Sequence, residues 1–152
     1  MKKKTLVLVC AALVVILAVT ACGGGTTSSG TTVSGITIKS VTLAENLNAD
    51  YQAVNPKTQF KPTDTIYVSV DVADRPTTGT LNGKFYYGDQ LISEATLDFS
   101  TVNQGVIISI GEDTFAGFNL PPGQPWPVDT GYRFELTING TKVGDYAYSV
   151  IQ

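Results

Sequence analysis

The sequence contains no histidine, and this absence excludes several kinds of chemistry. Only two of its 152 residues are cysteines, Cys10 and Cys22, and its one methionine is Met1. A serine or cysteine nucleophile activated by histidine is therefore excluded, and a zinc or haem site is disfavoured. Charged residues make up 15% of the chain and hydrophobic residues 43%, as in folded proteins. We expect no catalytic residue, no metal and no cofactor.

The N-terminus has the pattern of an export signal. Lysines at positions 2 to 4 precede an uninterrupted apolar run from Leu6 to Val19. This run is short for a membrane span but typical of a secretory signal peptide. The next residues, Val19-Thr20-Ala21-Cys22, resemble the lipobox of bacterial lipoproteins, in which the cysteine sulfur receives diacylglycerol before the signal is removed. The resemblance implies a signal peptide over residues 1–21 and a lipidated Cys22.

Lipidation of Cys22 implies a location as well. The two or three acyl chains of a lipoprotein cysteine hold a soluble domain at a membrane, whereas a single chain binds only marginally. We therefore expect an extracytoplasmic protein anchored to the outer membrane of a diderm cell or to the outer face of a monoderm cell membrane. Two alternatives stay open: an uncleaved anchor helix, and an ordinary signal peptide cut near Ala21 that leaves a free thiol.

Removal of the signal leaves an acidic chain that begins with a polar segment. Residues 1–21 contain three of the ten basic residues and none of the thirteen acidic ones, so the remainder has a formal net charge of −6. Such a chain disfavours nucleic acid, which binds lysine and arginine clusters. The stretch 23–35, GGGTTSSGTTVSG, has too few apolar residues to offset its ordering entropy. We predict a flexible tether over 22–35 and a folded domain over 36–152.

The domain has the texture of β-strands. Apolar and polar residues alternate from Ile66 to Val72 and again from Tyr132 to Ile138, as in strands with one buried face. Asn139-Gly140 then suits a type I′ turn, so the next strand folds straight back, with a β-bulge at Gly144-Asp145. Weaker strand signals lie at Ile36–Leu43, Leu81–Tyr87, Ala95–Phe99, Val106–Ile110 and Phe115–Leu120. About seven strands predict an all-β antiparallel sandwich, with at most a helical turn in 44–53.

Several stretches resemble an immunoglobulin-like domain found in many bacterial lipoproteins and other envelope proteins. They are FKPTDTIYVSV at 60–70, Phe85-Tyr86-Tyr87, Trp126-Pro127, and GYRFEL at 131–136 followed by Asn139-Gly140. The resemblance covers most of residues 36–152 and implies a single immunoglobulin-like β-sandwich. Where that family usually has tryptophan on the third strand, this sequence has Phe85. Members are mostly accessory modules, so the resemblance implies fold and location rather than an activity.

The candidate binding residues are aromatic. Trp126 lies in the proline-rich loop 120–127 and is either a contact anchor for a protein or sugar partner or a cap on the core. Tyr67 and Tyr86 fall on the solvent face by alternation. Together they would form a stacking platform for carbohydrate, unless they are present only because tyrosine favours strands.

Other residues are candidates for structural or metal-binding roles. Tyr132 follows the turn Asp129-Thr130-Gly131, as in the tyrosine corner of an immunoglobulin sandwich, and Asn139 and Gly140 form the hairpin turn. Calcium remains an alternative for Asp71 with Asp74 and for Glu112 with Asp113, although neither spacing matches an EF-hand loop.

These observations converge on a non-catalytic surface protein. We expect a lipid-anchored, extracytoplasmic accessory or protein-interaction module of the bacterial cell envelope, whose partner is another envelope protein. The alternative is a small-ligand or polysaccharide-binding lipoprotein that uses the exposed aromatic residues. Hydrolysis by paired carboxylates is disfavoured, because it requires two acids that flank a cleft.

Overall fold

A computed structural model of the chain describes residues 26–101, 107–110 and 113–152. The predicted signal peptide and Cys22 lie outside the described residues. The described part contains eleven strands and a short 3₁₀ turn, Phe99–Thr101. Within it there is no helix long and apolar enough to cross a lipid bilayer.

The strands form two sheets. Sheet A has the order β1-β2-β5-β9-β8, and β3 pairs with β2 as well; sheet B has the order β4-β11-β10-β6-β7. Sheet A contains β1 Thr26–Val33, β2 Ile36–Leu47, β3 Ala53–Pro56, β5 Ile66–Val72, β8 Ile107–Ile110 and β9 Asp113–Leu120. Sheet B contains β4 Gln59–Phe60, β6 Thr80–Tyr87, β7 Gln90–Asp98, β10 Asp129–Ile138 and β11 Thr141–Val150. The predicted all-β sandwich is confirmed.

The strand order corresponds to that of an immunoglobulin domain. Strands β2-β5-β9-β8 take the places of A-B-E-D, and β11-β10-β6 take those of G-F-C. All described pairs are antiparallel except β4 with β11. The count is higher than predicted because three strands were not expected: β1 is polar, and β3 and β4 are too short to show an alternating pattern. The helical turn considered for 44–53 is wrong: β2 continues to Leu47, and β3 begins at Ala53.

The core lies between the inner faces of the sheets. The alternating residues that predicted β5, from Ile66 to Val72, are fully buried, as are those of β10 from Tyr132 to Ile138. The Phe134 ring packs against Phe85 and Phe118, with centroids 4.9 and 5.4 Å apart. Burial of one large apolar side chain contributes roughly 1.5–3 kcal/mol, so these rows hold the sheets together.

The predicted tether over 22–35 does not hold from Thr26 to Val33, because these residues form β1 and pair with β2. The composition argument counted only apolar area, whereas an edge strand is also held by backbone hydrogen bonds. Threonine has a branched Cβ that suits strands, and the hydroxyls of Thr32 and Thr37 lie 2.7 Å apart across the pair. Val33 packs against the core. The folded domain therefore begins about ten residues earlier than expected.

The hairpin between β10 and β11 has the turn that the sequence predicts. Asn139 and Gly140 have φ values of 47° and 79°, both positive as a type I′ turn requires. Asn139 also joins β6, since its Oδ1 accepts a 2.9 Å hydrogen bond from the backbone N–H of Thr80. The bulge is present but lies one residue earlier than predicted, at Val143 and not at Gly144-Asp145, because Lys142 and Gly144 pair with consecutive residues of β10.

Tyr132 has the hydrogen bond that defines a tyrosine corner. Its hydroxyl donates to the carbonyl oxygen of Pro127 at 2.8 Å, five residues upstream. The ring is stacked between Tyr87 and Tyr148, at centroid distances of 4.7 and 5.4 Å. Burial raises the pKa of Tyr132, so the hydroxyl keeps the proton that it donates.

Candidate functional site

Trp126 is half-buried at one end of the sandwich, where it packs against the core. Its backbone N–H donates to the carbonyl of Pro62 at 2.8 Å, and its indole Nε1–H donates to the carbonyl of Asp64 at 3.0 Å. The indole is therefore a fixed cap whose polar edge is already bonded. It remains one wall of a surface groove.

The loop that accepts these bonds is itself held by an ion pair. Asp64 Oδ2 accepts hydrogen bonds from Lys57 Nζ at 2.8 Å and from the backbone N–H of Lys61 at 3.0 Å. These two bonds lower the pKa of Asp64. The loop is thus fixed independently of Trp126, and the indole docks onto it.

A groove of about 700 Å³ runs between this end and the edge of sheet B. Its walls are Ile92 and Ser93 of β7 on one side and Leu120, Trp126 and the proline-rich loop on the other. A register shift leaves Ile92 without a cross-strand partner on β6. The bulge thus lies at the point where β7 meets the groove.

Strand β7 is the last described strand of sheet B. It is nine residues long and mostly exposed, and Leu91 retains 44% of its accessible surface. Its charged residues, Glu94 and Asp98, are both acidic, and it contains no lysine, arginine or proline. An edge with these properties offers backbone donors and acceptors to an added strand.

Tyr86 does not present an open ring. The guanidinium carbon of Arg133 lies 3.8 Å from the ring centroid. Arg133 also pairs with Asp145 at 3.3 Å and with Glu135 at 3.5 Å, and Lys142 contacts the same two acids. The Tyr86 ring is therefore covered by an ion-pair network on the outer face of sheet B.

Tyr67 lies on the opposite side of the molecule. It points outward from β5 in sheet A, beside Ala44 and Asn119 on the neighbouring strands. The predicted platform of Tyr67 with Tyr86 is therefore wrong, because alternation places both rings outward but on different sheets. Tyr67 borders a pocket on its own sheet.

That pocket has a volume of about 310 Å³ and lies on the outer face of sheet A. Its walls include Tyr67, Asn119 and Tyr51, the last from the loop 48–52 that joins β2 to β3. Sequence reasoning missed Tyr51 because it assigned this segment to a helical turn. The signal that was available is the run Asn46-Leu47-Asn48, since asparagine favours turns that fold a chain back.

Among the described residues, the acids considered for calcium do not form a ligand set. Lys39 Nζ lies 2.7 Å from Asp113 Oδ2, which neutralises that carboxylate. Burial raises the pKa of Asp71. Within residues 26–101, 107–110 and 113–152, no group of three or more acidic, cysteine or histidine side chains is arranged to hold a metal ion. Glu112 lies outside the described residues.

No protein-family model matches this chain, and a search of curated proteins finds no match either.

Proposed function

We propose that this chain is a lipid-anchored, extracytoplasmic and non-catalytic module of the bacterial cell envelope, related to lipoproteins with immunoglobulin-like domains. Its role is to bind a protein partner at the membrane. The observation that supports this role best is the edge of β7 beside the groove at Trp126, which pairs with no further strand in the described part of the chain.

An added strand is the form of partner that this edge favours. Extended peptides join exposed sheet edges through backbone hydrogen bonds, while pockets along the edge select alternate side chains. Here the groove beside Ile92 and Trp126 would receive an apolar side chain. The acidic residues Glu94 and Asp98 favour a partner segment with basic residues.

The position of β1 supports the same edge. Strand β1 packs against β11, whereas β7 packs against β9, so the two edges lie on opposite sides of the sandwich. Three glycines, 23–25, separate Cys22 from Thr26, so their Cα atoms are four residue steps, at most about 14 Å, apart. A lipidated Cys22 would therefore hold the Thr26 end of β1 near the membrane, on the opposite side of the sandwich from β7.

The anchor is tested by the intact mass of the mature protein from its own host. We expect a chain that begins at Cys22 and carries acyl groups, found in the membrane fraction. A Cys22→Ala variant should lose the acyl mass and the membrane association. An unlipidated, soluble wild-type protein would contradict the anchor.

The partner edge is tested separately with a photo-crosslinking residue in place of Leu91. The matched control carries the same residue in place of Val54, which is similarly exposed on β3, at 39% against 44%. We expect one adduct of defined mass from position 91 in intact cells and none from position 54. Equal adducts from both positions, or none from position 91, would refute binding at β7.

A further inference from the structure

The pocket beside Tyr67 is built by a loop with a strained backbone. Asn48 closes the loop: its Oδ1 accepts 2.9 Å hydrogen bonds from the backbone N–H groups of Asp50 and Gln52. Tyr51 between them has a φ of 58°, a left-handed conformation that is uncommon for a bulky residue. Such strain persists only where the surrounding structure holds it, and it clusters at functional sites.

The sheet beneath the loop is shaped to receive Tyr51. Ser69 Oγ donates a 2.7 Å hydrogen bond to the Tyr51 carbonyl, and the Tyr51 ring lies over Gly117. A Cβ at position 117 would come within 2.6 Å of Tyr51 Cδ1 and 2.9 Å of Leu47 Cδ1. The absence of a side chain at Gly117 therefore lets the ring sit close to the sheet.

The lining of this pocket is aromatic and amide-rich. Tyr51 and Tyr67 provide rings, Asn48 and Asn119 provide amides, and no charged side chain lines the pocket. Asn119 is exposed. A tyrosine side chain has an apolar ring and a polar hydroxyl. Together with amides, tyrosines suit a ligand that has both an apolar face and many hydroxyls.

Tyr67 also borders a second pocket of about 310 Å³. The walls there are polar and include Glu45, Asn46, Thr63 and Asp64. Two pockets that share one ring are arranged to hold two consecutive units of a linear ligand. Asp64 is paired with Lys57. The exposed carboxylate of Glu45 disfavours an anionic ligand in the second pocket by like-charge repulsion.

We propose that Tyr67 is the centre of a binding site for an uncharged pyranose oligosaccharide. One sugar ring packs against Tyr51 and Tyr67 with its hydroxyls toward Asn119, and the next unit lies in the polar pocket. The C–H face of a pyranose ring matches the aromatic rings, and its hydroxyls match the amides. This site does not depend on the protein partner proposed for β7, and it lies on the other sheet.

Calorimetric titration of the full chain in detergent tests the site, with chitotetraose and cellotetraose as neutral probes and oligogalacturonate as the anionic one. We expect at least one neutral probe to bind and the anionic probe to bind at least about tenfold more weakly. Replacing Tyr67 by Ala should weaken neutral binding by about tenfold or more, as loss of a buried aromatic contact does.

Two variants control for folding and for position. Tyr67→Phe keeps the ring and should keep most of the affinity, whereas Tyr86→Ala removes the corresponding outward ring of sheet B and should leave affinity unchanged. No binding of either neutral probe would overturn the proposal. So would equal losses for the alanine variants at 67 and 86, or equal binding of the anionic probe.

Discussion

The outer faces of the two sheets differ although both present a tyrosine from the middle of the fold. On sheet B, Tyr86 is paired with Arg133, whose guanidinium covers the ring at 3.8 Å. On sheet A, Tyr67 is paired with Ala44 and Asn119, and its ring borders two pockets. Period-2 alternation decides that both rings point outward. The cross-strand neighbours decide whether a ring remains available to a ligand.

The same contrast applies to one glycine on each sheet. A Cβ on Gly83 of sheet B would lie 2.7 Å from the Phe118 ring and 2.8 Å from the Phe134 ring. A Cβ on Gly117 of sheet A would lie 2.6 Å from Tyr51. Both positions accept a ring, but the first pair of rings belongs to the core and the second ring belongs to a surface loop.

The largest expected effect is that of Gly83→Ala. The core rings cannot move away easily, so we expect the free energy of unfolding to fall by about 1–3 kcal/mol, the usual range for overpacking. The matched Gly117→Ala substitution should lower the free energy of unfolding by less, because the loop that carries Tyr51 can shift. Urea unfolding of the full chain measures both values. Equal losses would show that the outer face of sheet A is packed as rigidly as the core.

The next largest effect on stability distinguishes the hydroxyl groups of two of the stacked tyrosines. Tyr132→Phe removes the bond to Pro127 and should lower the free energy of unfolding by about 1 kcal/mol. Tyr148→Phe should be neutral or stabilising, because among the described residues the buried Tyr148 hydroxyl has no hydrogen-bond partner. The same unfolding assay compares the two variants. A larger loss for Tyr148→Phe would contradict this assignment.

Arg133→Ala tests directly whether Arg133 covers the Tyr86 ring on sheet B. It removes the cation–π contact and the ion pairs with Asp145 and Glu135, all partly solvated, so the loss of stability should be only about 0.5–1 kcal/mol. It should also expose the Tyr86 ring to quenching by acrylamide in a tyrosine fluorescence assay. If Tyr86 is already accessible in the wild-type protein, the contrast with Tyr67 is lost.

The smallest effect concerns pH at the Trp126 end of the molecule. The hydrogen bonds from Lys57 and Lys61 lower the folded-state pKa of Asp64 below its usual 3.8. The resulting stabilisation is present above the unfolded pKa and is lost as pH falls through the folded one. Trp126, the only tryptophan, should therefore report a fluorescence change below about pH 4. Asp64→Asn should show no such transition; an unchanged transition in that variant would assign it to another carboxyl group.

Much of the fold could be predicted from particular strands. The alternation in Ile66–Val72 and Tyr132–Ile138, with Asn139-Gly140 after the latter, specifies two buried rows and a hairpin. Strand β1 could not be predicted in this way, because it is polar and its order depends on pairing with β2.

The candidate sites were less predictable than the strands. The sequence indicates that Trp126 is either a core cap or a contact residue. In the structure it both caps the core and lines a groove. The position of Tyr51 in the pocket depends on how a loop folds over sheet A. The contact of Arg133 with the Tyr86 ring depends on which strands become neighbours. Neither can be deduced from the period of a single strand.

The most direct test of the difference between the two faces is an amide NMR titration of the full chain with the neutral tetrasaccharide that binds more tightly. We predict chemical-shift changes around the two pockets that Tyr67 borders, at residues 45–52, 63–67 and 117–119. Residues 84–86 and 133–135 on sheet B should remain unchanged. Shifts centred on Tyr86, or no shifts on either face, would contradict the central claim that the Tyr67 ring, and not the Tyr86 ring, is available to a ligand.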